Sequence, residues 1–405
     1  MRRTVAVLLS LLLVAGACSS SESESTPVGT AGWTTVPTSS SPTTLTPPTA
    51  PPTTVPLATS PPDGLEADPV SLQGAGPYEV GVTTLELPTG NLVEVFYPAD
   101  DSAAGSTDSY QVRTFLPEAL RGIIPDETDD SYEIAAQRDG DASADGPFPL
   151  VLFSHGFAAF RVQSSELSRH VASWGMVVAS PDHPSRNLES QLSSSEVEVQ
   201  TSSEDIRATR TLVTSVTDGP LAGLIDDSRV AVSGHSAGGG TTLDVAADEG
   251  IAGYVSYASG ASDDAVMPGV PSLFMAGSLD EIVEPSRTVD AHEGAQSPSW
   301  LWVLDDAGHL VFSDLCAIGE GQGGLIAMAE SAGIGEAVPE DLRRLATDGC
   351  EPPNLPVIDV WPAVNQASVA FYRLVFGLED ETEGRGLDSL DLDGVDVTIE
   401  VSDPA

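Results

Sequence analysis

Residues 76–377 are predicted to form an α/β domain: a mostly parallel, eight-stranded sheet flanked by helices. Two observations predict it. Short β-branched runs alternate with stretches of helical character, the order that builds a largely parallel sheet. The chain also changes character abruptly, from a Ser/Thr/Pro-rich tract to periodic apolar segments that begin near residue 76. Its 405 residues fit one large domain or two small ones.

The chain opens with Arg2 and Arg3, an apolar run from Val5 to Val14 and the small residues Ala15-Gly16-Ala17, the pattern of an export signal over residues 1–17. That run is too short to span a bilayer stably. Cys18 follows directly, which resembles the lipobox of bacterial lipoproteins, in which the cysteine is acylated, although Ala15 stands where that pattern usually has Leu. The expectation is a lipid anchor on the extracellular face of the cell membrane; the alternative is a soluble secreted protein cut nearby. Residues 18–75 are read as the lipidated Cys18 and a disordered tether, because stretches such as "TSSSPTTLTPPTAPPTTVP" are too polar and too proline-broken to bury a core. Such a tract is a semi-extended spacer.

Within the domain the predicted strands are "YEVGVTTLEL", "NLVEVFYP", "PLVLFSH", "GMVVASP", "RVAVSG", "AGYVSYAS", "PSLFMAG" and "WLWVLDD". Between them, "QSSELSRHVASWG" sets Leu167, Val171 and Trp174 on one helical face and stops at Gly175, while "SSEDIRATRTLVTSV" opens with a serine cap followed by acidic residues. Residues 100–147 are acidic and irregular, with a candidate helix around "RTFLPEALRGII", and read as an insertion near the site. "WPAVNQASVAFYRLVFG" has helical spacing and is expected to pack on the sheet. Residues 378–405 form an acidic tail in which "DLDGVDVTIEVSD" alternates like an edge strand.

The formal charge is -45, from 61 acidic against 16 basic residues, and every basic residue is Arg. The absence of lysine excludes Schiff-base chemistry, pyridoxal attachment, a phosphate-loop lysine and Ser/Lys pairing. A chain this acidic repels nucleic acid. Most of the carboxylates read as a solvated surface, and the chain is expected to be a monomer. No cofactor is implied, and the histidines do not fall at zinc-ligand spacing, so no metal is expected.

Gly234-His235-Ser236-Ala237-Gly238 matches G-x-S-x-G. In a chain so rich in Gly and Ser the match alone is weak, but it follows the strand "RVAVS" and precedes a plausible helix, the setting that a nucleophile elbow requires. There the serine takes strained backbone angles, and a side chain at 234 or 238 collides with the chain passing beside it. Ser236 is therefore the candidate nucleophile, set against an ordinary glycine-rich turn. Its hydroxyl needs a base to take its proton and a third group to orient that base. Asp280 and His309 follow in the order Ser, acid, His, each on a loop just after a predicted strand. Glu281, Asp305 and Asp306 remain alternative acids. Among the other histidines, His155 and His235 lie in the proposed loop and elbow, His170 and His292 on predicted helices, and His183 precedes Ser236. Acyl transfer also puts negative charge on the substrate oxygen, which two backbone N–H donors must meet. Ala237 offers one, and Phe157, in the His155-Gly156-Phe157 loop, the other.

At these residues the chain resembles the α/β-hydrolase superfamily, and within it platelet-activating factor acetylhydrolase-like, dienelactone-hydrolase-like and cutinase-type serine esterases. "SHGF" after a strand, "GHSAGG" at the elbow and "GHLVFSD" at the histidine carry the resemblance, which covers about residues 76–376. Ala237 departs from the Met that polyester hydrolases usually carry after the serine. The resemblance implies a hydrolase of small-molecule or lipid carboxylic esters, using Ser236, His309 and Asp280. The segment from Cys316 to Cys350, inserted after the histidine, is expected to be a helical cap. These two cysteines are an even pair in an exported chain once Cys18 is removed, which favours a disulfide over two buried thiols. Two other readings share the fold: an envelope acyltransferase with the same triad, and a non-catalytic binding lipoprotein.

Overall fold

The computed structural model describes residues 70–193, 200–262, 265–296, 298–378 and 386–402. The export signal, Cys18 and nearly all of the tether lie outside the described residues.

Twelve strands form: β1 (Glu79–Glu86), β2 (Leu92–Ala99), β3 (Asp108–Gln111), β4 (Ser131–Ile134), β5 (Gln137–Arg138), β6 (Phe148–Ser154), β7 (Val177–Pro181), β8 (Ile225–His235), β9 (Ile251–Tyr257), β10 (Ser272–Gly277), β11 (Ser299–Leu304) and β12 (Val397–Ser402). Ten of them make one sheet in the order β12-β11-β10-β9-β8-β6-β7-β2-β1-β5, and β3 and β4 form a separate ribbon. The six strands from β7 to β11 run parallel, with antiparallel neighbours at either side. All eight predicted strands are present, but the sheet has ten. The two additions are its edges. β5 is a two-residue pairing with β1 and has no periodicity to read. β12 is the alternating stretch of the acidic tail, and it pairs along the whole of β11.

The period of two along the central strands sends side chains to two cores. Leu150 and Leu152 of β6 and Val230 and Val232 of β8 join Ile206, Val213 and Val245 from the helices Ser202–Thr214 and Ala237–Val245. Val151, Phe153 and Ala231 face the opposite way, toward Leu167 and Val171 of the helix Ser165–Ser173 and a row from Val360 to Phe371 on the helix Val357–Val375. These strands, covered on both faces, read as continuous apolar runs because neither face meets water. Residues 386–389 are tied into this second core: Trp302 Nε1 donates to Leu387 O, and Gln366 Nε2 donates to Gly386 O and Ser389 O. Leu387 is fully buried.

Two local expectations shift. The helix expected to open on serine is capped by Thr201, whose hydroxyl accepts from Glu204 N at 3.3 Å while the Glu204 carboxylate accepts from Thr201 N at 2.8 Å. This reciprocal box satisfies two end donors where a serine one residue on satisfies neither. The helix expected over "RTFLPEALRGII" is broken into a 3-10 turn, Val112–Phe115, and a short helix, Glu118–Arg121. Pro117 stands between them, where its missing N–H and fixed φ start a helix rather than continue one.

The insertion after His309 is helical, with helices Gly324–Ser331 and Glu340–Leu345. A Cys316–Cys350 disulfide closes it. Its Ala332 and Ile334 pack on Leu116 and Ile124 of the earlier insertion, so the two insertions meet each other. Replacing both cysteines by serine is expected to lower stability by about 3–4 kcal/mol through the freed loop entropy. Urea unfolding measures this, and an unchanged midpoint contradicts a structural role for the bridge.

Candidate active site

Chain order fixes where a site can form. From β6 the chain moves to β7 on one side, then returns to β8 on the other, so the direction of winding reverses between β6 and β8. At such a point the loops leaving the carboxyl ends diverge and leave a crevice. The loop after β6 carries Gly156 and Phe157, and the turn after β8 carries Ser236.

The turn at Ser236 has the strain that the sequence pattern implies. Ser236 lies at φ 55°, ψ -121°, between the last residue of β8 and the first of the helix Ala237–Val245. It is held there by its N–H donating to Tyr257 O at 2.9 Å and its carbonyl accepting from Gly239 N at 2.8 Å. A Cβ at Gly234 lies 2.3 Å from Gly238 O, and one at Gly238 lies 2.0 Å from Ser154 O. Both contacts are with backbone, so only glycine fits.

His309 and Asp280 are hydrogen-bonded, Nδ1 to Oδ2, at 2.8 Å, and both are buried. The other carboxylate oxygen of Asp280 accepts from Ile282 N at 2.8 Å and Val283 N at 2.7 Å. An ionised carboxylate can only accept, so the imidazole proton sits on Nδ1 and Nε2 keeps its lone pair. Among the described residues Nε2 has no hydrogen-bond partner. Ser236 and His309 line the same cavity but are not hydrogen-bonded to each other. Of the candidate acids, Asp280 is the one whose carboxylate bonds His309 among the described residues; Glu281, Asp305 and Asp306 show no bond to it. Phe157 is 43% exposed and lines the cavity, and Ala237 opens the helix behind Ser236.

Three side chains that sequence reasoning missed brace this arrangement. Gln163 Oε1 accepts from Gly156 N at 2.8 Å, and its Nε2 donates to His235 Nδ1 at 2.9 Å; His235 Nε2 then donates to His309 O at 3.0 Å. One continuous chain of bonds therefore ties the loop after β6 to the elbow and to the backbone of His309. Asp348, in the disulfide-closed cap, accepts from His309 N at 3.2 Å and from Glu281 N at 2.9 Å, which fixes the loops of both base and acid. Arg186 donates to Ala237 O and Thr241 Oγ1 through Nη1, and to Ser154 Oγ and His155 O through Nη2. It clamps the elbow to the loop after β6, and its burial pushes the guanidinium pKa down to about 10.

The remaining histidines are structural. His170 Nε2 donates to Leu72 O, and His292 bonds Ser299 Oγ. His155, whose pKa burial and the Arg186 charge lower to about 3, donates from Nδ1 to Gly156 O and accepts from His183 N. His183 makes a second Ser-His-Asp series: Ser154 Oγ meets its Nε2 at 2.9 Å and Asp205 its Nδ1 at 3.0 Å. All three residues are fully buried and Ser154 already accepts from Arg186, so no substrate reaches this series.

A family model described as Chlorophyllase matches residues 141–257, which include the Gly156 loop and the elbow. A platelet-activating factor acetylhydrolase from Cavia porcellus is 28% identical over 127 residues, covering 27% of this chain. The chain spans about 28% of the length of that curated relative. With the sheet order and the strained serine, these matches support the α/β-hydrolase fold.

The clamp is open to test. Arg186→Met leaves four acceptors without their donor, three of them on the buried residues Ser154, His155 and Thr241, and is expected to cost about 2–4 kcal/mol of stability. A denaturant midpoint equal to that of the unaltered protein contradicts it.

Proposed function

We propose that this protein is a member of the α/β-hydrolase superfamily, an exported, membrane-anchored serine hydrolase that cleaves carboxylic esters through an acyl-enzyme intermediate. One observation carries the reading: His309 bonds Asp280 through Nδ1 and leaves Nε2 unpartnered in the cavity that Ser236 lines. A base so arranged takes the Ser236 proton as Oγ attacks the ester carbonyl. The ring becomes an imidazolium, and Asp280, fixed by two backbone amides, stabilises that charge without moving. Negative charge on the carbonyl oxygen falls to the amides of Phe157 and Ala237, whose separation the Arg186 clamp holds constant. When the tetrahedral intermediate collapses, the C–O bond to the alcohol breaks and His309 Nε2 returns the proton to the departing oxygen. Water, deprotonated by the same nitrogen, then attacks the acyl-enzyme and releases the acid, restoring the Ser236 hydroxyl.

Export and anchoring rest on the basic and apolar start of the chain and on Cys18. Cys18→Ser is expected to move the protein from the membrane fraction to the soluble exported fraction; retention in the membrane overturns the anchor.

For the chemistry, a fluorophosphonate is expected to modify one serine, identified by peptide mass as Ser236. Ser236→Ala should abolish that labelling and lower kcat by about 10⁴-fold or more. Label found on Ser154 instead, or no label on folded protein, contradicts the assignment.

A further inference from the structure

The cavity over Ser236 is far larger than an ester group. Its space for water-sized spheres is about 140 Å³, and its empty volume is about 1140 Å³ when the open solvent at its mouth is included. Ser236 and His309 stand at its floor, and the two insertions build its walls: Leu116, Leu120 and Ile124 from the first, Leu325, Met328 and Leu342 from the disulfide-closed cap. Leu120 and Leu325 are only partly buried, so the cavity keeps apolar side chains unfilled at a cost in water.

Its charge balance is equally informative. The whole chain carries 61 acidic residues. Yet among the described residues the lining has one carboxylate, Asp130, and one fixed cation, Arg113. These two are paired: Arg113 Nε and Nη2 both reach Asp130 Oδ1 at 2.8 Å, and Nη2 also donates to Thr128 O at 2.6 Å. The pair is already satisfied within the wall and offers no net charge to a ligand. A phosphate, a sugar or a zwitterionic headgroup finds no built partner there, whereas an uncharged hydrocarbon loses nothing on entering.

We infer that this cavity binds a long aliphatic chain of the ester substrate, folded under the two insertions while the ester bond lies at Ser236. The inference rests on the serine-hydrolase reading above and adds the substrate class. Such a chain can come from the acid or from the alcohol, and two series of esters tell them apart: p-nitrophenyl alkanoates from acetate to palmitate, and alkyl acetates from ethyl to hexadecyl, each below its critical micelle concentration.

In at least one series kcat/KM is expected to climb with length, by up to about 4-fold for each buried methylene, and to reach about 50-fold or more between two and ten carbons. The series that climbs names the side that carries the chain. Ala329→Trp, which fills the cap side of the cavity, should reduce that ratio by about 10-fold or more. Should this variant fail to fold, decyl and ethyl fluorophosphonates on the unaltered protein supply the same reading, with the decyl reagent labelling Ser236 faster. Flat or falling profiles in both series, with Ser236 still labelled, overturn the inference and leave the hydrolase reading standing. No turnover in either series and no labelling overturn both.

Discussion

The bond between Asp280 Oδ2 and His309 Nδ1 is the interaction on which the account depends. It decides which ring nitrogen holds the proton, and so which one is basic. Its geometry is secured from both sides. Asp280 is fixed by the amides of Ile282 and Val283, and His309 by bonds to its own backbone N–H and C=O, from Asp348 and His235. A carboxylate fixed in this way stabilises a developing imidazolium without reorganising, which is where electrostatic catalysis draws its advantage over water.

The scaffold exists to bring distant loops to that bond. The crevice between β6 and β8 follows from the order in which the strands were laid down. Its precision comes from polar side chains with few degrees of freedom left. Gln163, His235 and Arg186 each bond two or more loops, the first two buried and Arg186 partly so. Asp348 brings the disulfide-closed cap into the same framework, so the element that roofs the cavity also supports the base. In the proposed mechanism, substrate binding and proton transfer thereby share one set of supports.

Much of this was legible in the sequence, for physical reasons that differ by residue. Ser236 was legible because the strained turn leaves no room for side chains beside it, a Cβ on Gly238 falling 2.0 Å from Ser154 O, and the glycines record that exclusion. Asp280 and His309 were readable from their places after strands. The braces were not. Gln163, Arg186 and Asp348 each bond backbone atoms of other loops, and a backbone partner leaves no residue-type signature. The edges of the sheet were half legible. The alternation from Val397 to Ser402 announced a strand but not its partner, and the two residues of β5 pair without any pattern of their own. The neutral lining of the cavity was hidden too, since it comes from two insertions whose meeting is a matter of packing.

The tautomer of His309 can be observed directly. Nitrogen NMR of protein labelled with ¹⁵N-histidine, assigned by loss of one signal pair in His309→Gln, reports each ring nitrogen of the neutral imidazole separately. The account predicts a protonated Nδ1 and a bare, pyridine-like Nε2, with that preference lost in Asp280→Ala. A proton on Nε2 in the unaltered protein contradicts it.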